Sequence, residues 1–376
     1  DSITSLGSFS ASANLSVVGS GIADSMNLNI DRSSALTGNL TLSMGDGADT
    51  FLSSKFKNGD SVDMGAGDDI VYMMIGGGSG TPALASLDMT KLDGGAGTDT
   101  LYFTESTAGG TEINLTSGGA VNFENIGGTT AADTIRGNTG NNVIYGNSGS
   151  DTIYGGAGDD ILVGNDRYNN GADDATVNAE DNLYGQAGDD SLYGTAADNI
   201  LDGGTGADTV YSGDGSDTIV IRKGGGGSTI AAADTITDFT DGSDVFGMHS
   251  SMGYDDLTIA QGSGSNSSDT IISIGAEYLA ILTGVTSSTI NYLDFTSMAT
   301  GNQTLSGTSG NDVTIGAAGV DTATTNAGTD IILTHGGDDV ITVDGTGSKT
   351  IDGGSGTDSL TISVSGISSL ADYTPT

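Results

Sequence analysis

Aliphatic side chains recur along this chain on a nine-residue beat, each two residues after an aspartate or asparagine. Ile135, Ile144, Ile153 and Leu162 follow Asp133, Asn142, Asp151 and Asp160. Leu183 and Leu192 follow Asp181 and Asp190; Val210 and Ile219 follow Asp208 and Asp217. Further on, Ile332, Ile341 and Leu360 follow Asp330, Asp339 and Asp358. Between one apolar position and the next lie glycine-rich turns, as in Gly-Gly-Ala-Gly-Asp-Asp-Ile-Leu-Val over 155–163. The pattern predicts a turn of six residues and a strand of three, whose middle side chain points inward. Two units make one coil of a solenoid, and stacked coils bury the aliphatics between two parallel sheets.

The beat divides the chain. It runs over 133–222, interrupted by a loop from Asn165 to Glu180 and displaced by one residue at Asp198 and Asp208 before Asp217 restores it. A second roll spans 303–362, with Asp312, Asp321, Asp330 and Asp339 nine apart. There Lys349 occupies an aspartate slot, because Ile351 follows two later and Asp358 nine later. A degenerate roll over 45–105 carries Asp49, Asp60, Asp69 and Asp99 at irregular gaps. Residues 1–44 alternate apolar and small polar positions (Leu28, Ile30, Leu40, Leu42) and predict plain β-structure. Residues 106–132 read as a connector, 223–302 as a β-rich module and 363–376 as a tail. The fold class expected is all-β: parallel β-roll segments with an intervening cap-like module.

Composition sharpens this picture. Of 376 residues, 64 are glycine, 2 proline and none cysteine or tryptophan. Only Glu105, Glu112, Glu124, Glu180 and Glu277 are glutamate, so the acid is almost all aspartate, a residue of turns rather than helices. The net charge of −40 has nine Lys and Arg against it. A folded chain so acidic needs counter-ions from outside, and divalent cations supply them; the same sign excludes nucleic acid as a partner. No apolar run is long enough for a membrane helix. The start, Asp1-Ser2-Ile3-Thr4, is neither an initiator Met nor a signal peptide, which predicts a processed end, a fragment, or export by another route. Without cysteine no disulfide holds the fold, which leaves metal as the staple.

The units match the nonapeptide Gly-Gly-x-Gly-x-Asp-x-U-x, with U a large aliphatic, and so the sequence resembles the RTX (repeats-in-toxin) family of calcium-binding β-rolls. The resemblance covers 45–105, 133–222 and 305–362. A stretch around Asp234, Asp238, Phe239, Asp241, Gly242 and Asp244, with Leu293-Asp294-Phe295, is similar to the segment that caps the roll in secreted proteases and lipases of this family. There it leads to the export signal; here a further array follows, as in surface-layer proteins and adhesins.

The resemblance implies several calcium ions. Calcium takes six to eight oxygens, which turn carbonyls and carboxylates from adjacent coils provide. The implied ligands are the slot residues Asp49, Asp60, Asp69, Asp99, Asp133, Asn142, Asp151, Asp160, Asp181, Asp190, Asp198, Asp208, Asp217, Asp312, Asp321, Asp330, Asp339 and Asp358. They are joined by the carbonyls of Gly146, Gly149, Gly155, Gly156, Gly158, Gly185, Gly188, Gly203, Gly204 and Gly206. An isolated Gly-x-Gly-x-Asp is an ordinary turn; the in-phase rows are what point to calcium. Lys349 reads either as an ammonium standing in for an ion or as a solvated lysine.

Tyr145, Tyr154, Tyr184, Tyr193 and Tyr211 fall three residues after the slot, on the face opposite the aliphatics. They read as cross-strand packing or as a surface for a cell-surface polysaccharide. Catalytic motifs are missing from the sequence. Its two histidines, His249 and His335, make no His-Glu-x-x-His, and no Gly-x-Ser-x-Gly elbow or cysteine nucleophile occurs. His335 stands where a turn would carry glycine. The expectation is a non-enzymatic, extracellular structural protein exported by a type I system. It would be a segment of a surface layer, filament or adhesin that folds and forms homo-oligomers, lattices or filaments with Ca2+. The alternative is a calcium-binding accessory or secretion module of a hydrolase, lyase, epimerase or toxin whose catalytic domain lies outside this chain.

Overall fold

In the computed structural model, residues 2–3, 14–28, 38–53, 59–74, 89–104, 111–115, 119–165, 179–249 and 252–363 are described. The interior of the 165–180 loop and the tail beyond 363 lie outside them. The protein is all-β, and the chain divides into two compact units, Asp1–Gly215 and Ser216–Thr376.

In the first unit, strands Ser25–Leu28, Thr50–Ser53, Ile70–Met74, Thr100–Thr104, Asn125–Gly127, Val143–Tyr145, Ile161–Val163, Ser191–Tyr193 and Thr209–Tyr211 pair in parallel, each with the next. Their middle side chains stack in register, from Phe51 through Val71, Leu101, Ile126, Ile144, Leu162 and Leu192 to Val210, all buried. A second parallel sheet runs Thr111–Asn114, Asp133–Arg136, Thr152–Ala157, Asn182–Ala187 and Ile200–Thr205. It carries the buried column Ile113, Ile135, Ile153, Leu183, Leu201. A third sheet stacks Leu15–Val18, Leu40–Ser43, Ser61–Asp63 and Leu92–Asp93.

Strand-forming triplets are short because the turn glycines cut them off, and parallel pairing is possible because each coil supplies the crossover. The parallel stacking also takes in strands within 1–44 and 106–132, segments that carry no nonapeptide signature. Coil length varies from 18 to 30 residues along the stack, yet the column stays in register. Insertions leave between strands, where they disturb no pairing.

In the second unit, Thr218–Ile221, Val245–Met248 and Phe295–Ser297 are parallel. Beside them Leu257–Gln261, Thr270–Ile274 and Glu277–Leu282 form an antiparallel meander, with Asp234–Ile236 parallel to the last. Aromatic rings replace the small aliphatics: Phe239 stacks on Phe246 with centroids 4.7 Å apart, Phe295 lies tilted against Phe246 at 5.3 Å, and Tyr254 meets Phe295 edge-on. This wider core accompanies the change from coil to meander. The second roll follows as two parallel sheets. One contains Thr304–Ser306, Thr322–Thr324, Val340–Asp344 and Ser359–Ser363; the other Val313–Ile315, Asp330–Leu333 and Lys349–Asp352. Its core is thinner, Ala323, Ile332 and Ile341 with Leu305, Ile351 and Leu360 half-buried around them.

Candidate metal centre

Most slot aspartates turn inward at the corner between turn and strand, where the carboxylate is buried along with the aliphatics; Asp312 is half-buried and Asp358 exposed. One oxygen accepts the backbone N–H of the equivalent slot in the preceding coil. Asp133 donates to Asp151 at 2.7 Å, Asn142 to Asp160 at 2.7 Å, Asp151 to Asp181 at 2.8 Å, Asp160 to Asp190 at 2.7 Å and Asp190 to Asp208 at 2.8 Å. The same ladder links Asp24, Asp49, Asp69, Asp99 and Glu124. Asp60 serves the other side of its coil, accepting from Leu40. In the second unit Asp217 donates to Asp244, Asp312 to Asp330, Asp321 to Asp339 and Asp339 to Asp358.

The second carboxylate oxygen sorts the slots into two kinds. In Asp49, Asp69, Asp99, Asp151, Asp160, Asp181, Asp190 and Asp339 it is buried with no hydrogen-bond partner. At six other slots the turn closes on itself. The N–H four residues earlier donates to the slot side chain from Ser20 to Asp24, Thr129 to Asp133, Asn138 to Asn142, Thr240 to Asp244, Thr308 to Asp312 and Ala317 to Asp321. The backbone four residues before the slot decides which kind forms. In the open turns where that residue is described it is left-handed: Gly45, Gly65, Gly95, Gly156, and also Asn147 (φ 74°), Gln186 (φ 81°) and His335 (φ 64°). Its N–H then points away from the carboxylate. In the closed turns the corresponding residue does not take positive φ. Three non-glycine residues held there are the strained positions that mark functional turns, and His335 does replace a glycine. Asp208 and Asp217 share the left-handed fourth residue, Gly204 and Gly213.

The glycines have two jobs. Gly146, Gly155, Gly185 and Gly203 face the second carboxylate oxygen of the aspartate five residues on, where any Cβ would collide with it. Gly149, Gly156, Gly158, Gly188, Gly204 and Gly206 all take positive φ, and at Gly158 and Gly188 a Cβ would also strike the backbone of the neighbouring coil.

Asp198 is not a rung. Asn199 takes its place, buried and accepting from Asp181 at 3.0 Å, while Asp198 is exposed one residue earlier. The strand pairing of Asn182 with Ile200 sets this register, so the polar residue immediately before Ile200 must fill the corner. Asp198→Ala is therefore expected to leave a calcium titration unchanged. Asn199→Ala leaves the Asp181 N–H without its acceptor and is expected to lower stability by about 1–3 kcal/mol in thermal melts.

A second, outer ladder was not legible in the spacing. Residues one before the slot reach forward: Asn141 accepts from Asp159, Asp159 from Asp189 and Asp189 from Ala207, at 2.8 to 3.1 Å. Asn311 and Asp338 do the same for Thr329 and Thr357. The adjacent Asp-Asp pairs thus have separate tasks, one inner and one outer. On the outer sheet faces the tyrosines do stack, Tyr154 on Tyr184 at 5.0 Å and Tyr193 on Tyr211 at 4.8 Å, with Arg136 over Tyr154 at 4.0 Å.

Burial is the main force on six of the first unit's slot carboxyls, and the single ladder N–H offsets it only partly. Asp151 is pushed up to about 9, Asp99, Asp160 and Asp181 to about 7, and Asp69 and Asp190 to about 6. Neighbouring carboxylates add to the rise, Asp181 and Asp133 at Asp151 and Asp190 at Asp160.

A parallel roll in which many corners hold a buried, half-satisfied carboxylate has the chemistry of a cation-binding repeat. The family model described as RTX calcium-binding nonapeptide repeat matches four copies, at 127–162, 180–219, 299–332 and 315–345. Over those residues the chain carries RTX calcium-binding nonapeptide repeats. No curated protein sequence matches it. Among solved structures it is similar to the extracellular lipase LipA from Serratia marcescens, at 15% identity and a TM-score of 0.22. The match covers 54% of this chain and 45% of that one, so this chain spans less than half of the lipase.

The residues fit calcium. Orphaned carboxylate oxygens are hard, anionic donors, and burial keeps them from water until a cation arrives. Among the described residues no three acidic or histidine side chains converge as a metal-binding group. An ion here would be held by one or two slot carboxylates and by turn carbonyls, and it would supply the missing positive charge.

Proposed function

We propose that this chain is a calcium-assembled segment of an extracellular structural protein, a surface-layer, filament or adhesin component without catalytic activity of its own. The observation that carries the reading is the row of buried carboxylate oxygens without partners. Seven of them line the first unit, from Asp49 to Asp190, and Asp339 adds one in the second. Export by a type I system accords with the repeat. Two features support assembly. Parallel rolls end in unpaired strand edges, and the net charge of −40 opposes association until bound ions neutralise it. No helix among the described residues is long and apolar enough to cross a membrane.

Analytical ultracentrifugation and negative-stain imaging of the chain, in chelator and in millimolar calcium, test this. Calcium-dependent ordered oligomers, sheets or filaments are expected. A calcium-bound species that stays monomeric over the accessible concentration range overturns the assembly reading and favours an accessory module instead.

A further inference from the structure

The inner ladder breaks at one rung. Asp330 pairs with Lys349 across the strands Asp330–Leu333 and Lys349–Asp352. A lysine has no acceptor to offer, so the Asp330 N–H turns to the Ser348 carbonyl at 3.0 Å instead. The lysine side chain folds into the corner of the turn. Its Nζ lies 2.9 Å from the Asp330 carboxylate, 2.6 Å from the Gly328 carbonyl and 3.2 Å from the Thr346 carbonyl. Both side chains are sequestered, 8% exposed for Lys349 and 2% for Asp330.

This donor set, one slot carboxylate with carbonyls from the turns of two successive coils, is of the kind the open turns offer an ion. In Asp151, Asp160 or Asp190 the corresponding oxygen has no partner; in Asp330 it has an ammonium. The local backbone is otherwise that of an open turn, with Gly345 at φ 84° and Gly347 at φ 108° ahead of the lysine. A surface lysine snorkels away from such a corner; this one is drawn in, at the cost of its own hydration, by charges that nothing else neutralises.

We infer that the Lys349 ammonium is a built-in cation that occupies a calcium position of the second roll. The rung 328–330/346–349 takes no ion and stays ordered when calcium is withdrawn, giving this roll a nucleus from which the others refill. The inference rests on the calcium reading of the open turns, and it assigns one turn that calcium does not use.

The test compares the full chain with Lys349→Gln, which removes the charge, and Lys349→Asp, which restores a slot carboxylate. Bound calcium is counted by equilibrium dialysis at saturation, and amide exchange of 330–333 and 349–352 is followed in chelator. Lys349→Asp is expected to bind one ion more than the wild type. In chelator, protection of these strands should fall by about a hundredfold or more in Lys349→Gln, because breaking a buried pair strands Asp330. Calcium should restore protection in Lys349→Asp. Equal ion counts in wild type and Lys349→Asp overturn the inference, as does unchanged exchange in Lys349→Gln. A wild type that binds no calcium at all is a separate result, and it overturns the calcium reading itself.

Discussion

Stripping calcium at about pH 8 is expected to unfold the first unit's open coils, and lowering the pH to about 5, still in chelator, is expected to restore much of their β-structure. In the unfolded chain an aspartate ionises near 3.8, whereas in the ion-free roll Asp190 holds its proton to about 6, Asp160 and Asp181 to about 7 and Asp151 to about 9. Between those limits the folded state binds more protons than the unfolded one, so stability is greatest in acid and falls as pH rises through 6 to 9. Above that range the roll holds ionised carboxylates with no counter-charge. Calcium replaces the protons and reverses the trend, and binding near neutrality should release protons to the buffer. Circular dichroism in chelator and in millimolar calcium at the two pH values measures the first effect; calorimetry in buffers of different ionisation enthalpy measures the second. A β-rich spectrum that is the same in chelator and calcium at pH 8 contradicts the ladder as a metal centre. Magnesium should rescue poorly, since it requires a smaller octahedral shell.

Asp151→Asn and Ile153→Ala lie two residues apart and should fail in opposite ways. Asparagine copies the protonated aspartate, keeping an oxygen for the Asp133 N–H while losing the charge. The ion-free roll should lose little at pH 8 and lose part of its acid dependence, but the calcium midpoint of folding should rise on the order of tenfold or more as an anionic ligand disappears. Ile153 is fully buried between Ile135 and Leu183 in its column. Its truncation leaves a cavity costing about 2–5 kcal/mol, with or without calcium. Calcium-dependent melts of both variants separate the effects. An unchanged calcium midpoint in Asp151→Asn would show that this carboxylate is not a ligand.

Much of this was legible in the sequence because its causes are local. A six-residue glycine turn followed by one inward aliphatic specifies a corner and a short strand without reference to anything distant, and the buried columns of Ile153, Leu162 and Leu192 follow from that beat. The difference between open and closed turns is also local, and its signal is a single residue. Glycine four before the slot opens the turn; Thr129, Thr308 or Asn138 closes it. Asn147, Gln186 and His335 defeat that rule, since each takes positive φ without being glycine.

Register belonged to the tertiary structure. Spacing put Asp49, Asp60, Asp69 and Asp99 in one irregular row, whereas the fold sends Asp60 to one side, links the others to one another through coils of 20 and 30 residues, and joins them to Asp24 and Glu124 through coils of 25. It chose Asn199 over Asp198 because the pairing of Asn182 with Ile200 leaves only one residue at the corner. It also brought the Lys349 ammonium onto Asp330, a contact between slots 19 residues apart. The sequence by itself determined the unit, its inward face and its chemistry, since these depend on side-chain size, charge and turn geometry within nine residues. Which units stack, and hence which carboxylates could share a cation, was decided by backbone pairing between coils, and that pairing accommodates coils of 18 to 30 residues.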